Sequence, residues 1–539
     1  MKKIFLILPF IILMSCKQDL TPKLVVLISI DHLSYKAFEH YSDLYTGGFK
    51  WLREHGVQFS NTYHEHGYTA TGPGHFVLGS GRYPGLAGVL GNSWYDRKTE
   101  KNRYCVEDND AKSIGIPSDG RSYRLIDATT TGDWLKAIHP ESKVYSMAGK
   151  DRASIFMGGK NADMSLWYNW NGAFTTTDYY TSTLPHWLTD FNNSLHLMSY
   201  RDSMWTRSLS EENYLKYARI DHFFGESDNY LSDEYSPVFP IGFDSTITDS
   251  MILDYIGGFP WQERNTLELA ETVIREEKLG KDNIPDLISI GLSATDWITH
   301  DYGPRSQEGM DNLIKMDHYL GHFLDVVDQE VGLNNTIIVL TADHGGLELP
   351  EFIKVTTGEY TGRIDGTLRD EAIEKAFSNI DSLVGDHDFI VRYGLGFYFD
   401  KSKILEQNIN VDDIVKIIKS ELEKVEGIAL VLTKDEILNA SPNDTLLTRM
   451  KHFTHPELSP DLWTIQEKNW LYRNPYGTSH GTPYDYDAHV PFVISHPTFK
   501  SKTISDQIST VDIAPTIADI LGVIPDKRVD GHSRKSVLP

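Results

Sequence analysis

The sequence contains little cysteine and little positive charge for its length. Only 2 of its 539 residues are cysteines, so disulfide bonds are not the basis of its stability. Its 51 basic side chains are outnumbered by 76 acidic ones, which gives a net charge of -25 at pH 7. That balance argues against sequence-independent binding to nucleic acid or to anionic lipid. A protein of this kind that handles an anionic substrate must concentrate positive charge locally, for example with metal ions.

Long apolar runs are also missing, apart from one at the N-terminus. After a basic start the chain reads "IFLILPFIILMSC", which is too short for a stable transmembrane helix and predicts a signal peptide over residues 1–15. Its end resembles the lipobox of bacterial lipoproteins, so Cys16 is predicted to be lipidated and to begin a tether over residues 16–22. If Cys16 is lipidated, Cys105 has no second cysteine with which to form a disulfide bond. We expect an exported lipoprotein of the periplasm or outer membrane of a Gram-negative bacterium; an ordinary secretory signal is the alternative.

Several buried-strand patterns end in polar residues of catalytic type. Continuous apolar runs are typical of parallel strands that are covered on both faces, and helical patterns lie between them at about 263–279, 306–330 and 509–521. We therefore predict an α/β fold with a mostly parallel central sheet flanked by helices on both faces. Ligands bind at the carboxyl ends of such strands. The polar residues expected at that edge are Asp31 after "KLVVLISI", Lys150 and Arg152 after "SKVYSMAG", Asp296 after "PDLISIGLSAT", and Asp343 and His344 within "NTIIVLTADHGG".

Two long segments interrupt the alternation of strands and helices. Residues 163–255 are rich in Tyr, Trp, Asp and Ser and weakly periodic, and we interpret them as an inserted cap. An irregular surface excursion is the alternative. Residues 351–475 contain the helical pattern "VDDIVKIIKSELEKVEG" and are predicted to form a small α/β insertion. The catalytic core is then predicted in three parts, over residues 23–162, 256–350 and 476–539.

Three aspartates and three histidines have the spacing and surroundings of metal ligands. In "SATDWITH" Asp296 and His300 are four residues apart, so one helical turn projects both side chains to the same side. In "TADHGG" two adjacent candidates follow a strand, and the glycines permit the backbone turn that both would need. The last histidine lies in a loop of Gly, Thr and Ser. The candidate set is Asp31, Asp296, His300, Asp343, His344 and His480.

The ligand types in this set favour zinc, because calcium and magnesium prefer oxygen ligands alone. Two sites with three ligands each would leave open positions for substrate oxygens. Two cations about 3.5–4 Å apart stabilise the attacking and leaving oxygens of an in-line displacement at phosphorus. Taken singly, each motif could also be a helix cap or a surface turn. His32, His318 and His322 show that histidine also occurs outside the set.

The stretch "TGPGH", from Thr71 to His75, supplies a candidate nucleophile. It has the T-x-P-x-H form and resembles the alkaline phosphatase superfamily, in which a threonine at the start of a helix attacks phosphorus. In that superfamily the threonine is coordinated by one metal and backed by backbone N–H groups. On the residues alone Thr71 could instead be a helix cap, and Thr69 is two residues too early for the motif. Sulfatases of the superfamily need a C/S-x-P-x-R motif, which this stretch lacks.

Within that superfamily the chain resembles the PafA-type phosphate monoesterases, periplasmic alkaline phosphatases that place Thr, Asn, Lys and Arg around the phosphate. "GNSWYD" matches their pattern with Asn92, and "GKDRASIF" matches it with Lys150 and Arg152. The resemblance runs in order through nearly the whole mature chain and implies two zinc ions. It implies that one ion is bound by Asp296, His300 and His480, and the other by Asp31, Asp343, His344 and the Thr71 oxygen.

The charge of the substrate favours a monoester. A phosphate monoester dianion exposes three nonbridging oxygens, and a lysine and an arginine can neutralise the charge that two metals leave. A diester has less charge and gains less from these cations. We therefore predict an alkaline phosphatase that hydrolyses small-molecule phosphate monoesters through a phosphothreonine intermediate at a two-zinc site. The alternatives are a phosphodiesterase or nucleotide pyrophosphatase of the same superfamily, and a non-catalytic surface binding lipoprotein.

Overall fold

The first buried run after the N-terminal segment forms the strand Leu24–Ile30, which lies inside a ten-stranded sheet. All seven of its residues are buried, as expected for a strand that is covered on both faces. It pairs in parallel with Asp286–Leu292 on one side and with Thr336–Thr341 on the other. The carboxyl ends of these three strands therefore meet at one edge of the sheet.

The structure is a computed structural model. In the part of the chain that it describes, no helix is both long and apolar enough to cross a membrane. The predicted signal peptide and Cys16 lie outside the described residues, so lipidation and export stay predictions. Cys105 is buried and makes no disulfide within the described part. The described residues are 21–227, 238–243, 247–472 and 475–539.

The sheet is parallel at its centre and mixed at its edges. Five adjacent strands run parallel, from Thr336–Thr341 to Met164–Asn169. Beyond them, Val493–Ser495 and Ala173–Thr177 pair in the antiparallel sense. The predicted α/β class with a mostly parallel central sheet is confirmed. Across the sheet the order is Lys502–Ile504, Gly56–Phe59, Val493–Ser495, Thr336–Thr341, Leu24–Ile30, Asp286–Leu292, Val144–Ala148, Met164–Asn169, Ala173–Thr177 and Ser113–Ile114.

Different helices cover the two faces of the sheet. Along the central strand, Val26 and Ile28 belong to one apolar core, and Val25 and Leu27 belong to the other. This alternation is the period of two of a strand that is buried on both sides. Helices of the first core are Gly48–Glu54, Pro260–Glu276 and Gln307–Glu330, and helices of the second are Thr71–Ser80, Thr131–Ile138, Asp151–Gly158 and Ile513–Leu521.

The three predicted helices are present, with shifted ends. Proline is tolerated in the first turn of a helix, where its missing N–H has no intrahelical partner. The first helix accordingly begins at Pro260, earlier than predicted. The last helix begins later than predicted, because a 3₁₀ turn over Thr510–Asp512 precedes it. The observed helices are Pro260–Glu276, Gln307–Glu330 and Ile513–Leu521, where the sequence predicted about 263–279, 306–330 and 509–521.

The segment predicted as a cap begins with part of the central sheet. Strands Met164–Asn169 and Ala173–Thr177 extend that sheet, so the predicted boundary at residue 163 falls inside it. The cap was predicted from weak periodicity and from a composition rich in Tyr, Trp, Asp and Ser, whereas Trp167 and Tyr168 are buried residues of a sheet strand. The described helices that follow are His186–Ser194, Glu211–Tyr217 and Asp249–Tyr255. The remaining domain boundaries stay predictions.

The segment 351–475 contains a second, smaller α/β arrangement. A four-stranded antiparallel sheet lies beside helices Gly366–Val384 and Val411–Leu422. These elements share an apolar core of their own, which includes Ile380, Phe397 and Ile418. The strands, in spatial order, are Ile390–Tyr393, Gly396–Phe399, Leu462–Gln466 and Ile428–Thr433.

Candidate active site

Three neighbouring parallel strands deliver most of the predicted site residues. Asp31 directly follows the strand Leu24–Ile30, and Asp343 follows the strand that ends at Thr341. The third strand leads into the helix Ala294–Tyr302, which begins two residues after it and carries the D-x-x-x-H pattern. The candidate residues therefore meet because the carboxyl ends of parallel strands share one edge of the sheet.

One set of possible metal ligands, which we call group one, consists of His32, Asp296, His300 and His480. One ligand atom from each of these residues lies within 4.8 Å of the others. The Oδ1 atom of Asp296 is the common point, at 3.0 Å from His32 Nδ1, 3.3 Å from His300 Nε2 and 3.5 Å from His480 Nε2. Three members were predicted together. His32 was not among the ligands predicted from the sequence, yet its ring lies among them.

Backbone carbonyls orient two rings of group one. The Nδ1–H of His300 donates to the Thr478 carbonyl at 2.8 Å, and the Nδ1–H of His480 donates to the Thr69 carbonyl at 2.7 Å. A carbonyl oxygen only accepts, so each ring carries its proton on Nδ1 and keeps a lone pair on Nε2. This is the usual arrangement of a metal-binding histidine. Thr69, which did not fit the nucleophile motif, thus contributes a carbonyl that positions His480.

A second set, group two, consists of Asp31, His75 and Asp343, and all three side chains are fully buried. The Nε2 atom of His75 lies 3.4 Å from Asp31 Oδ1, and its Nδ1 lies 3.4 Å from Asp343 Oδ2. Burial raises the pKa of Asp31, and the charge of the neighbouring Asp343 raises it further. A bound cation would relieve this repulsion between two buried carboxylates.

Group two includes His75, whereas the family resemblance named His344 as the histidine ligand beside Asp31 and Asp343. His75 is the last residue of the T-x-P-x-H motif, but it was not predicted to be a ligand. His344 lies close by, with its Nε2 at 3.2 Å from Asp343 Oδ2. Its ring also stacks on that of His480, with 3.6 Å between the centroids. His344 therefore borders both groups, and its role as a ligand stays a prediction.

Thr71 is the first residue of the helix Thr71–Ser80 rather than its cap. The N-cap is Ala70, which has an extended backbone and no side chain that could cap, so the alternative of a capping threonine is not supported. Thr71 is buried, and its Oγ1 lies 3.5 Å from Lys150 Nζ and 3.4 Å from Arg152 Nη2. Two cationic groups thus approach a single hydroxyl at the N-terminal, electropositive end of a helix.

Lys150 links the two groups electrostatically. Its Nζ lies 2.5 Å from Asp296 Oδ2 and 2.9 Å from Asp31 Oδ2. Burial by itself would lower the pKa of Lys150, but these two carboxylates raise it above the usual value. The indole face of Trp297 covers the ammonium at 4.9 Å. Lys150 therefore keeps its charge while it is buried between the two groups and Thr71.

A network of polar side chains fixes the guanidinium of Arg152. Its Nη1 donates to the Tyr104 hydroxyl at 3.2 Å, and that hydroxyl donates to Asp151 Oδ1 at 2.5 Å. Arg121 Nε donates to the other oxygen of Asp151 at 2.8 Å. Tyr104 and Arg121 were not predicted from the sequence, because the chain reaches them through a separate hairpin and loop. They hold Arg152 in the orientation in which its Nη2 approaches Thr71.

Asn92 lies against the first turn of the Thr71 helix. Its Oδ1 accepts a hydrogen bond from the Gly72 N–H at 2.7 Å. The Nδ2 hydrogens are then the donors that Asn92 can offer to a ligand. A side chain at residue 72 would approach Asn92 Oδ1 at 3.0 Å and Cys105 Sγ at 3.3 Å. Glycine at this position allows Asn92 to approach the helix so closely.

The donors in the two groups fit two divalent cations. Among the described residues, several buried ligand atoms have no hydrogen-bond partner, and leaving such atoms unpaired costs free energy. Imidazole nitrogen and carboxylate oxygen together form a donor set suited to zinc and similar ions. The atoms in question are Asp31 Oδ1, His75 Nε2, Asp343 Oδ2 and His344 Nε2. The other oxygen of Asp31 is paired with the Lys150 ammonium.

Known proteins with related sequences and structures cover nearly the whole chain. The model of the type I phosphodiesterase / nucleotide pyrophosphatase family matches residues 25–489. The chain is 28% identical over 518 residues to alkaline phosphatase PafA of Elizabethkingia meningoseptica, which covers 93% of this chain and 92% of PafA. It is also 28% identical over 527 residues to a Myroides odoratus protein named calcium-transporting ATPase, with coverage of 95% and 94%. The crystal structure of PafA matches with a TM-score of 0.88 at 27% identity, covering 96% of this chain and 99% of PafA.

These similarities confirm the resemblance that the sequence motifs indicated, and they confirm that the chain is an enzyme. The family match begins at the central strand and extends past the loop that carries His480. It therefore includes both groups of candidate ligands and the candidate nucleophile. The chain belongs to the type I phosphodiesterase / nucleotide pyrophosphatase family.

Proposed function

We propose that the protein is an alkaline phosphatase that hydrolyses small-molecule phosphate monoesters through a phosphothreonine intermediate at a two-zinc site. The observation that carries the proposal is the surroundings of Thr71. Its hydroxyl lies between two cationic side chains, at 3.5 Å from Lys150 Nζ and 3.4 Å from Arg152 Nη2, at the start of a helix. The similarity to PafA over nearly the whole chain supports the same function.

The chain's own residues would perform the first step as follows. Thr71 Oγ1 gives its proton to water and forms a bond to phosphorus, while the bond from phosphorus to the leaving oxygen breaks and that oxygen takes a proton from water. Arg152 and Lys150 donate hydrogen bonds to nonbridging oxygens, and Asn92 offers its amide hydrogens to another. Group one and group two would each hold one cation, and such ions supply Lewis-acid charge that favours deprotonation and leaving-group departure. Water then cleaves the phosphothreonine bond and regenerates the hydroxyl.

Charge at the site supports a monoester rather than a diester. Lys150 is buried, and its two carboxylate neighbours keep it protonated. Together with Arg152 it supplies two positive charges beside Thr71, which suits a dianion with three nonbridging oxygens. In a diester, one of those oxygens carries a second organic group. That group would have to lie against a charged, buried surface, which costs free energy.

The decisive experiment compares two substrates and counts metal on one preparation. We expect p-nitrophenyl phosphate to be hydrolysed with a higher kcat/KM than bis-p-nitrophenyl phosphate, and about two zinc ions per chain. A large preference for the diester would overturn the monoesterase proposal in favour of a phosphodiesterase. Replacing both Lys150 and Arg152 by Ala should lower the monoester rate more than the diester rate. Equal losses would contradict the role in specificity that we assign to them.

The intermediate has its own test. Acid quenching during turnover should leave phosphate on the peptide that contains Thr71, detectable by mass spectrometry. Thr71→Ala should abolish this label and lower kcat by about a thousandfold or more. Thr69→Ala is the matched variant: it keeps the backbone carbonyl that positions His480 and loses only the hydrogen bond from the Thr69 hydroxyl to the Thr482 carbonyl. It should keep the label and lose about tenfold in kcat at most. A label that persists in Thr71→Ala would assign the nucleophile elsewhere.

A further inference from the structure

His32 has an unusual backbone and an unusual position. It directly follows Asp31 at the end of the central strand, and its φ is +63°. This left-handed conformation is uncommon for residues other than glycine, although asparagine, aspartate and histidine adopt it more often than most. Residues in such sparsely populated conformations cluster at functional sites. The turn places the histidine ring within group one.

The ring of His32 lies among three other histidine rings. Its centroid is 5.1 Å from those of His300 and His480 and 5.5 Å from that of His344. Its Nδ1 is 3.0 Å from Asp296 Oδ1, the same oxygen that the other two rings of group one approach. Ligand atoms at about 2.0–2.1 Å from a tetrahedral zinc lie about 3.3–3.4 Å apart. The spacing around Asp296 is close to that value.

The chain makes room for this ring. A side chain at Gly346 would meet His32 Nε2 at 1.5 Å, so only glycine fits beside it. The backbone N–H of His32 donates to Asp343 Oδ1 at 3.2 Å, which ties the same residue to group two. The ring is buried, and a buried imidazole needs a partner for both nitrogens. Nε2 faces Gly346 and has no hydrogen-bond partner within the described chain, so Nδ1 is the ring nitrogen that faces group one.

We propose that His32 binds the metal of group one as a fourth protein ligand, in addition to Asp296, His300 and His480. This inference deepens the proposed function, since it rests on a metal-dependent site. A fourth protein ligand makes zinc binding tighter and occupies the position that a three-ligand site leaves open. Substrate would then bind this zinc as a fifth ligand. The competing account is that His32 only orients Asp296 by donating a hydrogen bond from Nδ1–H.

The variant His32→Asn separates the two accounts. Asparagine tolerates positive φ, so the backbone turn is kept. Its Nδ2 can replace the imidazole Nδ1–H as a donor to Asp296, but a neutral amide is a poor ligand for zinc. If His32 is a ligand, His32→Asn should bind zinc in group one about a hundredfold more weakly in competition with a chelator. If it only donates a hydrogen bond, the affinity should stay within about threefold, and our proposal would be overturned.

Cobalt substitution gives a second, spectroscopic measurement. The visible absorption of Co²⁺ is strong in four-coordinate sites and weaker in five- and six-coordinate ones, and its bands shift when water replaces a nitrogen ligand. We expect the group-one spectrum of His32→Asn to change in this way, and an unchanged spectrum would contradict the proposal. His322→Asn is the matched control, because His322 is largely exposed on the helix Gln307–Glu330 and should leave both measurements unaltered.

Failure to fold, loss of metal binding and a different substrate preference can be distinguished. His32→Gly also tolerates the left-handed backbone, so it serves if the asparagine variant does not fold, as judged by circular dichroism of the metal-free protein. Because His32→Gly also removes the Nδ1–H donor, both accounts expect it to lose zinc affinity, and its Co²⁺ spectrum separates them. Wild-type affinity or an unchanged spectrum in His32→Gly would overturn the proposal. Metal affinity is measured without substrate. A protein that binds zinc through His32 but prefers diesters would refute only the proposed monoesterase function.

Discussion

Group one and group two differ in composition and in contact with solvent. Group one has three imidazoles and a single carboxylate, and the side chains of His300 and His480 are 20% and 10% exposed. Group two has two carboxylates and one imidazole, all at 0% exposure. The buried group thus carries more negative charge with less water to screen it, so it depends more on a cation.

This contrast suggests different tasks for two sites that share one edge of the sheet. Group two lies at the start of the helix that carries Thr71, because His75 is on its next turn. Group one lies nearer to solvent, where a leaving group could depart and water could enter. Lys150 contacts one carboxylate of each group, so changes in one should be felt by the other. Variants in each group test whether the two sites differ in this way.

The largest effect is expected from Asp343→Asn in group two. The change removes one of two buried negative charges without changing the size of the side chain. Loss of a metal's charge stabilisation is worth several kcal/mol, so kcat/KM for p-nitrophenyl phosphate should fall about a thousandfold. Zinc content should fall as well. The exposed Asp190→Asn is the control and should be unchanged. A loss below tenfold would show that group two is not needed for catalysis.

A smaller effect, on the rate of metal release, should distinguish the groups directly. Because group one is partly exposed, a chromogenic chelator should remove its zinc faster than the zinc of group two, in two kinetic phases. His300→Ala should weaken group one by at least about tenfold, so the fast phase should become faster or disappear while the slower, group-two phase stays in place. A single phase in the wild type, or loss of both phases in His300→Ala, would mean that the two groups act as one site.

The sequence predicted one part of this contrast and missed another for a physical reason. Asp31, Asp296 and Asp343 could be predicted together, because parallel strands that read as buried runs bring their carboxyl ends to one edge. The meeting of strand ends at one edge did not predict that His32 would point into the site. Adjacent residues of a strand point to opposite faces, so a histidine directly after Asp31 would be expected to point away from the site. Its positive φ reverses that direction.

Neither the position of His75 beside the aspartates nor the two strands that extend the sheet at one edge was predicted. The reasons differ. His75 is one helical turn beyond Thr71, but its burial against Asp31 and Asp343 depends on how that helix packs. A side chain at Gly74 would meet the Asp343 carbonyl at 2.1 Å, so the close approach relies on glycine there. Local sequence does not encode such packing. The strands at 164–169 and 173–177 were missed because weak periodicity in an edge region resembles that of a surface segment.

Asn92→Asp should separate phosphate binding from metal binding. Aspartate keeps the size of the side chain and an acceptor for the Gly72 N–H, but it places a negative charge where a phosphate dianion would bind. We expect kcat/KM for the monoester to fall about tenfold, a cost of about 1.4 kcal/mol, with zinc content of both groups unchanged. A smaller loss with the less charged diester would support this reason. Loss of zinc would instead connect Asn92 to the metal groups.

The smallest effect on activity is expected from Glu263→Gln. This variant tests how a buried carboxyl next to group one contributes to the stability of the protein. Glu263 is fully buried, and its Oε1 accepts hydrogen bonds from the N–H and the hydroxyl of Thr295, next to Asp296. Burial raises its pKa from 4.5 to about 7. The folded state therefore favours the protonated carboxyl, and this contribution to stability is present below pH 4.5 and is lost as pH rises towards 7. Glutamine stays neutral at every pH.

The stability gained by Glu263→Gln should accordingly depend on pH. In chelator-treated protein, the free energy of unfolding of the variant minus that of the wild type should be more positive at pH 8 than at pH 4.5, by up to about 3 kcal/mol. Urea unfolding at the two pH values measures this difference, and titration of other groups cancels in it. A pH-independent difference would mean that Glu263 has the same pKa in the folded and the unfolded protein. In that case the surroundings of group one would be more polar than the buried contacts indicate, and its contrast with group two would be greater.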